Sequence, residues 1–162
     1  MVTKQAAVVV AVSAAAIAGG SSAAFAAASP GRSSAEHFRI MSTQAKSHRL
    51  SVIATGAFTA GGYEIPRRGG DVIVLPGGTL TLRLSENHGS DSGSSTCLFT
   101  ETARGTFTIG HGTGRYAGIT GSGKARTASI AVTAKNAAGQ CIHVNNPATY
   151  QAITTANGTI TR

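Results

Sequence analysis

From Leu50 onward, apolar and polar side chains alternate along the chain in short runs. The first run covers Leu50–Thr59 and is rich in β-branched residues, and this period of two predicts a half-buried strand. Runs of similar character predict further strands at residues 71–75, 80–85, 97–109, 124–135 and 150–160. No stretch of the sequence after residue 48 has a convincing helical period.

Segments rich in glycine, proline and asparagine separate these runs. They predict reversals or breaks at residues 61–62, 66–70, 76–78, 110–114, 121–123 and 136–139, and a polar loop at 86–95. Many short strands joined by such turns are typical of an antiparallel sandwich or barrel. We predict an all-β protein with a single antiparallel, lipocalin-like β-barrel of about eight strands. A barrel is favoured because closure removes the edges that threonine-rich strands would otherwise expose.

The first 26 residues have the pattern of a secretory signal peptide. Lys4 precedes an apolar segment at 6–18, and small residues follow up to Ala24-Phe25-Ala26. We predict cleavage between Ala26 and Ala27, with Ala28–Ser29 as the second choice, and hence a secreted product. The alternative is a retained membrane anchor, since the uncharged stretch is long enough to cross a bilayer. Its strongly apolar part is much shorter, so we expect no stable membrane insertion after cleavage.

Residues 27–48 are polar and show no clear period. They predict a flexible leader, in which Glu36–Lys46 forms either a short helix or no regular structure. The predicted organisation is therefore a signal peptide at 1–26, a leader at 27–48 and one barrel domain at 49–162. The mature length suits one domain with one core.

The chain is basic, with 14 Lys and Arg against 6 Asp and Glu and a formal net charge of +8. The basic residues are dispersed, and only Arg67 and Arg68 are adjacent. Nucleic-acid recognition normally requires a clustered basic footprint, so we expect no nucleic-acid partner. A weak attraction to anionic envelope polymers or lipid headgroups fits the charge better.

Two cysteines, Cys97 and Cys141, remain in the predicted mature chain. In an exported protein such a pair favours a disulfide, which would close a loop worth roughly 4 kcal/mol of chain entropy. The alternative is a pair of metal-binding thiolates, for which only His143 is close in sequence. We favour the disulfide.

One stretch resembles a known family. Phe107–Gly123 contains Gly112-Thr113-Gly114-Arg115-Tyr116 and Gly121, similar to the Gly-x-Gly-[Lys/Arg]-[Phe/Tyr]-x-x-x-x-Gly pattern of dirigent-type and allene oxide cyclase-like barrels. The layout is most similar to small secreted actinobacterial proteins of that group, through Ala54–Phe58, Pro76–Thr79, Thr96–Leu98 and the second cysteine. The resemblance covers roughly residues 50–160. It implies a barrel that binds a reactive small molecule and steers its cyclisation or coupling, but only the glycine-rich hairpin aligns well.

Glu101 and Tyr116 are the candidate site residues. By alternation Glu101 shares a face with apolar neighbours, where a carboxylate is costly unless it is paired or protonated, and this suggests a ligand cavity. The alternative is a bulge that turns Glu101 to solvent, or an ion pair at the barrel rim. Tyr116 is predicted to pack inside or across the barrel mouth with its hydroxyl hydrogen-bonded. Glu86, at a strand end, is predicted to be exposed.

No metal or cofactor is expected. The histidines match no metal-ligand spacing and are each predicted to lie at the surface: His37, His48, His88, His111 and His143. Gly118–Gly123 is not a nucleophile elbow, and the 110–114 glycines precede a strand rather than the helix that a phosphate loop requires.

We therefore predict a secreted, non-enzymatic barrel that binds a small apolar ligand or acts at the cell envelope. The rival is a cyclase or isomerase, or a coupling-steering protein, that uses Glu101 and Tyr116 in a cavity. A buried Glu101 facing a cavity would favour the rival, and an exposed Glu101 over a packed interior would oppose it.

Overall fold

A computed structural model of the chain describes residues 31–142 and 147–162, without the side chains of Asn87 and His88. Eight antiparallel strands form a closed barrel in chain order, with the last strand paired to the first. They are β1 Ser33–Ser42, β2 Leu50–Gly56, β3 Ala60–Ile65, β4 Asp71–Leu75, β5 Gly78–Gly93, β6 Leu98–Gly110, β7 Thr120–Val132 and β8 Thr149–Thr161. A single 3₁₀ turn, Gly114–Tyr116, precedes β7. The predicted all-β barrel is confirmed, whereas the predicted signal peptide and its cleavage sites lie outside the described residues.

The barrel has two ends that differ in their connections. At one end, called the closed end, the short segments 57–59 and 76–77 and the longer segment 111–119 join the strands. At the other, called the open end, residues 43–49, 66–70 and 94–97 make the connections, together with the link between β7 and β8.

An apolar core fills the barrel on the side of the closed end. The Phe38 ring lies edge-on to Phe58 and to Phe107, with centroids 6.2 and 6.3 Å apart. Ile73, Leu80 and Leu82 are fully buried and belong to the same apolar cluster as these rings. Inward-facing glycines make room for the rings: a Cβ at Gly123 would lie 2.6 Å from Cε1 of Phe107 and would also collide with the Asn157 carbonyl oxygen.

The predicted flexible leader is wrong for Ser33–Ser42, which form β1. This strand pairs with β2 on one side and β8 on the other, so the barrel begins at Ser33 rather than at residue 49. Phe38 and Ile40 face the core, but the inward positions at either end of the strand hold Glu36 and Ser42. Because polar side chains occupy these two buried positions, β1 lacks the regular apolar–polar alternation by which a strand is predicted from sequence.

Three glycine-rich segments were wrongly predicted as turns, breaks or loops. Gly61 and Gly62 lie inside β3, residues 86–93 continue β5, and residues 121–123 lie within β7. At Gly62 the reason is packing, because a Cβ there would lie 2.9 Å from Cδ2 of Leu75 and would collide with the Val74 carbonyl oxygen. A glycine in such a strand therefore marks close approach of neighbouring backbone rather than a reversal.

The disulfide between Cys97 and Cys141 is confirmed. It joins the turn between β5 and β6 to the connection between β7 and β8, at the open end. The Thr133 N–H donates to the Cys97 carbonyl oxygen at 3.0 Å, which ties the end of β7 to the same turn. In the described part of the chain, no helix is long and apolar enough to cross a membrane.

Candidate functional site

Tyr116 seals the closed end. Its side chain is 2% exposed, its ring centroid lies 5.1 Å from that of Phe58, and its hydroxyl donates to the Pro76 carbonyl oxygen at 3.3 Å. The 3₁₀ turn that carries it is fixed by Arg115 N–H donating to the Gly77 carbonyl oxygen. Burial raises the pKa of the Tyr116 hydroxyl. The positive charge of Arg115 lowers this pKa, and the negative charge of the Glu36 carboxylate raises it. The predicted placement of Tyr116 at a barrel mouth is confirmed.

Glu36 is a fully buried carboxylate at the same end. Its Oε2 accepts a hydrogen bond from the Phe58 N–H at 3.1 Å, while Oε1 has no partner among the described residues. Burial raises the pKa of this carboxyl. Hydrogen bonds from backbone N–H groups, that of Phe58 first, lower the pKa and partly offset the effect of burial. Phe58 lies in the turn between β2 and β3. The hydrogen bond from its N–H to Oε2 of Glu36 therefore fixes this turn and the Phe58 ring.

The open end is lined by small and hydroxyl-bearing side chains. Thr127, Ser129 and Ala131 of β7, and Ala152 and Thr154 of β8, alternate onto the inward face and are half-buried. Partial exposure of inward-facing side chains means that solvent reaches into the barrel here. The Thr127 hydroxyl lies 2.8 Å from that of Thr154 and donates to Oε1 of Glu86 at 2.5 Å. Glu86 is exposed, as predicted.

Glu64 is the second buried carboxylate and belongs to the open end. It is 3% exposed and lies between Leu50 of β2 and Ile73 of β4 in the sheet. Its Oε2 is buried without a hydrogen-bond partner among the described residues. Burial, and secondly the Asp71 carboxylate, raise the pKa of Glu64 to about 7. Near neutral pH this side chain can therefore present either a hydrogen-bond donor or a negative charge.

A cleft of about 370 Å³ lies beside the open end. It runs between residues 43–46, which follow β1, and residues 147–150 around the start of β8. Tyr150, on the inward face of β8, is among its lining residues. Its volume falls within the range of small-molecule sites, roughly 300–1,000 Å³.

Glu101 is exposed, which agrees with the alternative of a solvent-facing side chain and not with a cavity carboxylate. The alternation was read correctly, since Glu101 shares a face with buried Ala103. However, β5 to β8 extend together past the short strands β2 to β4, and Glu101 lies in this extension, where it pairs with Asp91 on one side and Ser129 on the other. The pairing of β5 with β6 shifts by one residue between Glu86 and His88. Glu101 and Tyr116 thus lie toward opposite ends of the molecule.

The histidines predicted at the surface are exposed where they are described, at His37, His48 and His111. His143 and the side chain of His88 lie outside the described residues. Within residues 31–142 and 147–162, no three His, Cys, Asp or Glu side chains are grouped so as to hold a metal ion.

Sequence reasoning missed both buried carboxylates. For Glu36 a signal existed, because Glu36, Phe38 and Ile40 are spaced by two. For Glu64 the preceding glycines suggested a turn, so the six-residue strand that carries it was not recognised.

Comparisons with known proteins give no match: no family model fits the chain, and no curated protein or solved structure matches it. The resemblance to allene oxide cyclase-like and dirigent-type barrels stays a prediction.

Proposed function

We propose that the protein is an exported, non-enzymatic barrel that binds a small, largely apolar molecule at its open end. The observation that carries this proposal is that the two ends of the barrel are filled by side chains of different size. Large aromatic side chains plug the closed end, whereas half-buried small side chains line the open end and leave it accessible. Small barrels can hold one ligand at such an accessible mouth, where the hydroxyl groups of Thr127, Ser129 and Thr154 would supply polar contacts.

Glu64 is the polar anchor of the proposed site. An unpartnered buried carboxyl oxygen is costly, and a ligand group that hydrogen-bonds to it would remove this cost. The protonated form would pair with a carbonyl or hydroxyl oxygen of the ligand, and the ionised form with a donor such as an amine. Export is supported by the Cys97–Cys141 disulfide, since disulfides persist mainly in oxidising compartments.

The rival function, a cyclase or isomerase that uses Glu101 and Tyr116, has less support. Glu101 is exposed on β6, and the Tyr116 hydroxyl is already hydrogen-bonded to the Pro76 carbonyl oxygen. The two residues do not face a common cavity.

Binding can be tested with N-phenyl-1-naphthylamine, a neutral apolar fluorophore whose emission rises in apolar sites. Ala152→Phe places a ring on the inward face at the open end and should raise the Kd from the fluorescence titration at least about tenfold, the effect of losing roughly 1.4 kcal/mol of binding. Ala128→Phe makes the same change at an exposed, outward-facing position of β7 and should have no effect. The same Kd in both variants, or no fluorescence enhancement with the native protein, would refute the proposed site. Native mass spectrometry of protein secreted by its producing cells would then identify a co-purifying molecule.

A further inference from the structure

The outer wall of the barrel carries a row of basic side chains. Arg104 of β6 is the direct register partner of Arg126 of β7, Arg126 neighbours Thr155 of β8, and Thr155 neighbours Arg39 of β1. Neighbouring strands lie about 4.8 Å apart, so three arginines occupy one row across four strands. Lys124 lies two positions before Arg126 on the same outward face. This set of four side chains is called the basic row.

No acidic side chain shares the outer wall with the basic row. All six acidic residues of the chain lie at inward-facing register positions of their strands: Glu36, Glu64, Asp71, Glu86, Asp91 and Glu101. The two signs of charge are thus separated onto the two faces of one sheet. Dispersed in sequence, the basic residues become neighbours only when the barrel closes.

The centre of the basic row is electrostatically unfavourable in the free protein. Like charges directly opposite one another on neighbouring strands destabilise a sheet, and Arg104 faces Arg126 in this way. A shallow groove of about 220 Å³ runs over this pair and is also lined by Lys124, Thr155 and Asn157. An anion in the groove would satisfy the exposed guanidinium groups, which match phosphate oxygens in a bidentate geometry.

We propose that the basic row is a docking surface for a linear phosphate polyanion. A chain fits better than a single small anion because the cations are spread across four strands along an open groove, with no enclosing pocket. It fits better than a lipid surface because none of the four large exposed apolar side chains of the described residues lines the groove: Leu98, Ile130 and Val132 lie toward the open end, and Ile53 borders the row beside Arg39. The surface is on the outside of the wall, so this inference does not depend on the ligand site at the open end.

Inorganic polyphosphate is the probe for the test, with binding measured by calorimetry over a range of salt concentrations. Arg104→Gln/Arg126→Gln should weaken binding roughly 30-fold, since each basic residue at an anionic surface contributes about a factor of five. The slope of log K against log salt should fall by about 1.4, at about 0.7 per phosphate contact. Arg67→Gln/Arg68→Gln is the matched control, because it removes the same charge from the exposed connection between β3 and β4 and should change binding little.

Equal losses in the two double variants would show a bulk charge effect and overturn the proposal, as would the absence of binding to the native protein. Sedimentation with anionic phospholipid vesicles but no binding of polyphosphate would overturn it in favour of a membrane surface. Loss of the fold can be distinguished from loss of binding by the melting temperature of Arg104→Gln/Arg126→Gln. Because this variant removes the repulsion between the two arginines, its melting temperature should be unchanged or higher. Polyphosphate should raise the melting temperature of the native protein and of the control by more than that of Arg104→Gln/Arg126→Gln.

Discussion

The closed and open ends of the barrel each bury one glutamate, and the two carboxylates differ in what surrounds them. Glu36 accepts a hydrogen bond from the Phe58 N–H and is covered by the aromatic plug. Oε1 of Glu36 and Oε2 of Glu64 are both buried without a partner among the described residues, and Glu64 also has a nearby like charge in Asp71. Neither burial nor an unpartnered oxygen therefore distinguishes the two acids. Their positions do, since Glu36 lies at the end filled by aromatic rings and Glu64 at the end lined by half-buried small side chains.

The largest expected difference between the ends is in packing. Leu80, near the closed end, is fully buried, whereas Leu50, at the open end, is half-buried. Leu80→Ala should cost about 4 kcal/mol of unfolding free energy, because a well-packed site cannot collapse around the cavity. Leu50→Ala should cost about 1 kcal/mol, since less apolar area is lost and solvent already reaches this end. Urea unfolding of the matched pair measures both, and equal costs would show that the open end is packed like the closed one.

The second difference is in the response to pH. The pKa of Glu64 is about 7 in the folded protein, above the ordinary value of 4.5, so the folded state holds the proton more tightly than the unfolded state. Stability should therefore fall as the pH rises from about 4.5 to 7, by up to about 3 kcal/mol, and stay lower above that range. Glu64→Gln cannot lose a proton and should be more stable than the native protein at pH 8 but not at pH 4.

The matched control is Glu101→Gln at an exposed position of β6, whose unfolding should follow the native pH profile. Chemical denaturation at intervals between pH 4 and 9 measures all three proteins. If Glu64→Gln retains the fall between pH 4.5 and 7, another group is responsible, and Glu36, whose pKa burial also raises, is the first to replace by glutamine.

The sequence predicted the wall of the barrel better than its ends. Strands β6 and β8 were recognised with nearly correct limits, because Phe107, Ile109, Ala156 and Ile160 keep a strict period of two. The strands that carry the buried acids were not recognised. In β1 the inward positions include Glu36 and Ser42, and in β3 two glycines precede Glu64, so neither has the apolar face on which pattern recognition depends.

The candidate site was hard to predict for a related reason. Alternation placed Glu101 on the correct face of its strand, but it cannot show where along the strand the barrel stops. That limit is set by the lengths of the neighbouring strands, since β5 to β8 extend past the short strands β2 to β4. The disulfide and Tyr116 were predictable because each depends on local features, a lone cysteine pair and a glycine-rich turn.

The smallest expected difference concerns single hydroxyl groups at the two ends. Tyr116→Phe removes the donor to the Pro76 carbonyl oxygen inside the plug and keeps the ring, and it should cost about 1 kcal/mol, the net value of one hydrogen bond. Thr127→Val removes the donor to Glu86 at the open end, where water can replace it, and should cost less than about 0.5 kcal/mol. Thermal unfolding at pH 7 is precise enough to separate them. A larger cost at Thr127 than at Tyr116 would mean that the hydroxyl groups lining the open end are structural, and would weaken the case for a solvent-accessible ligand site there.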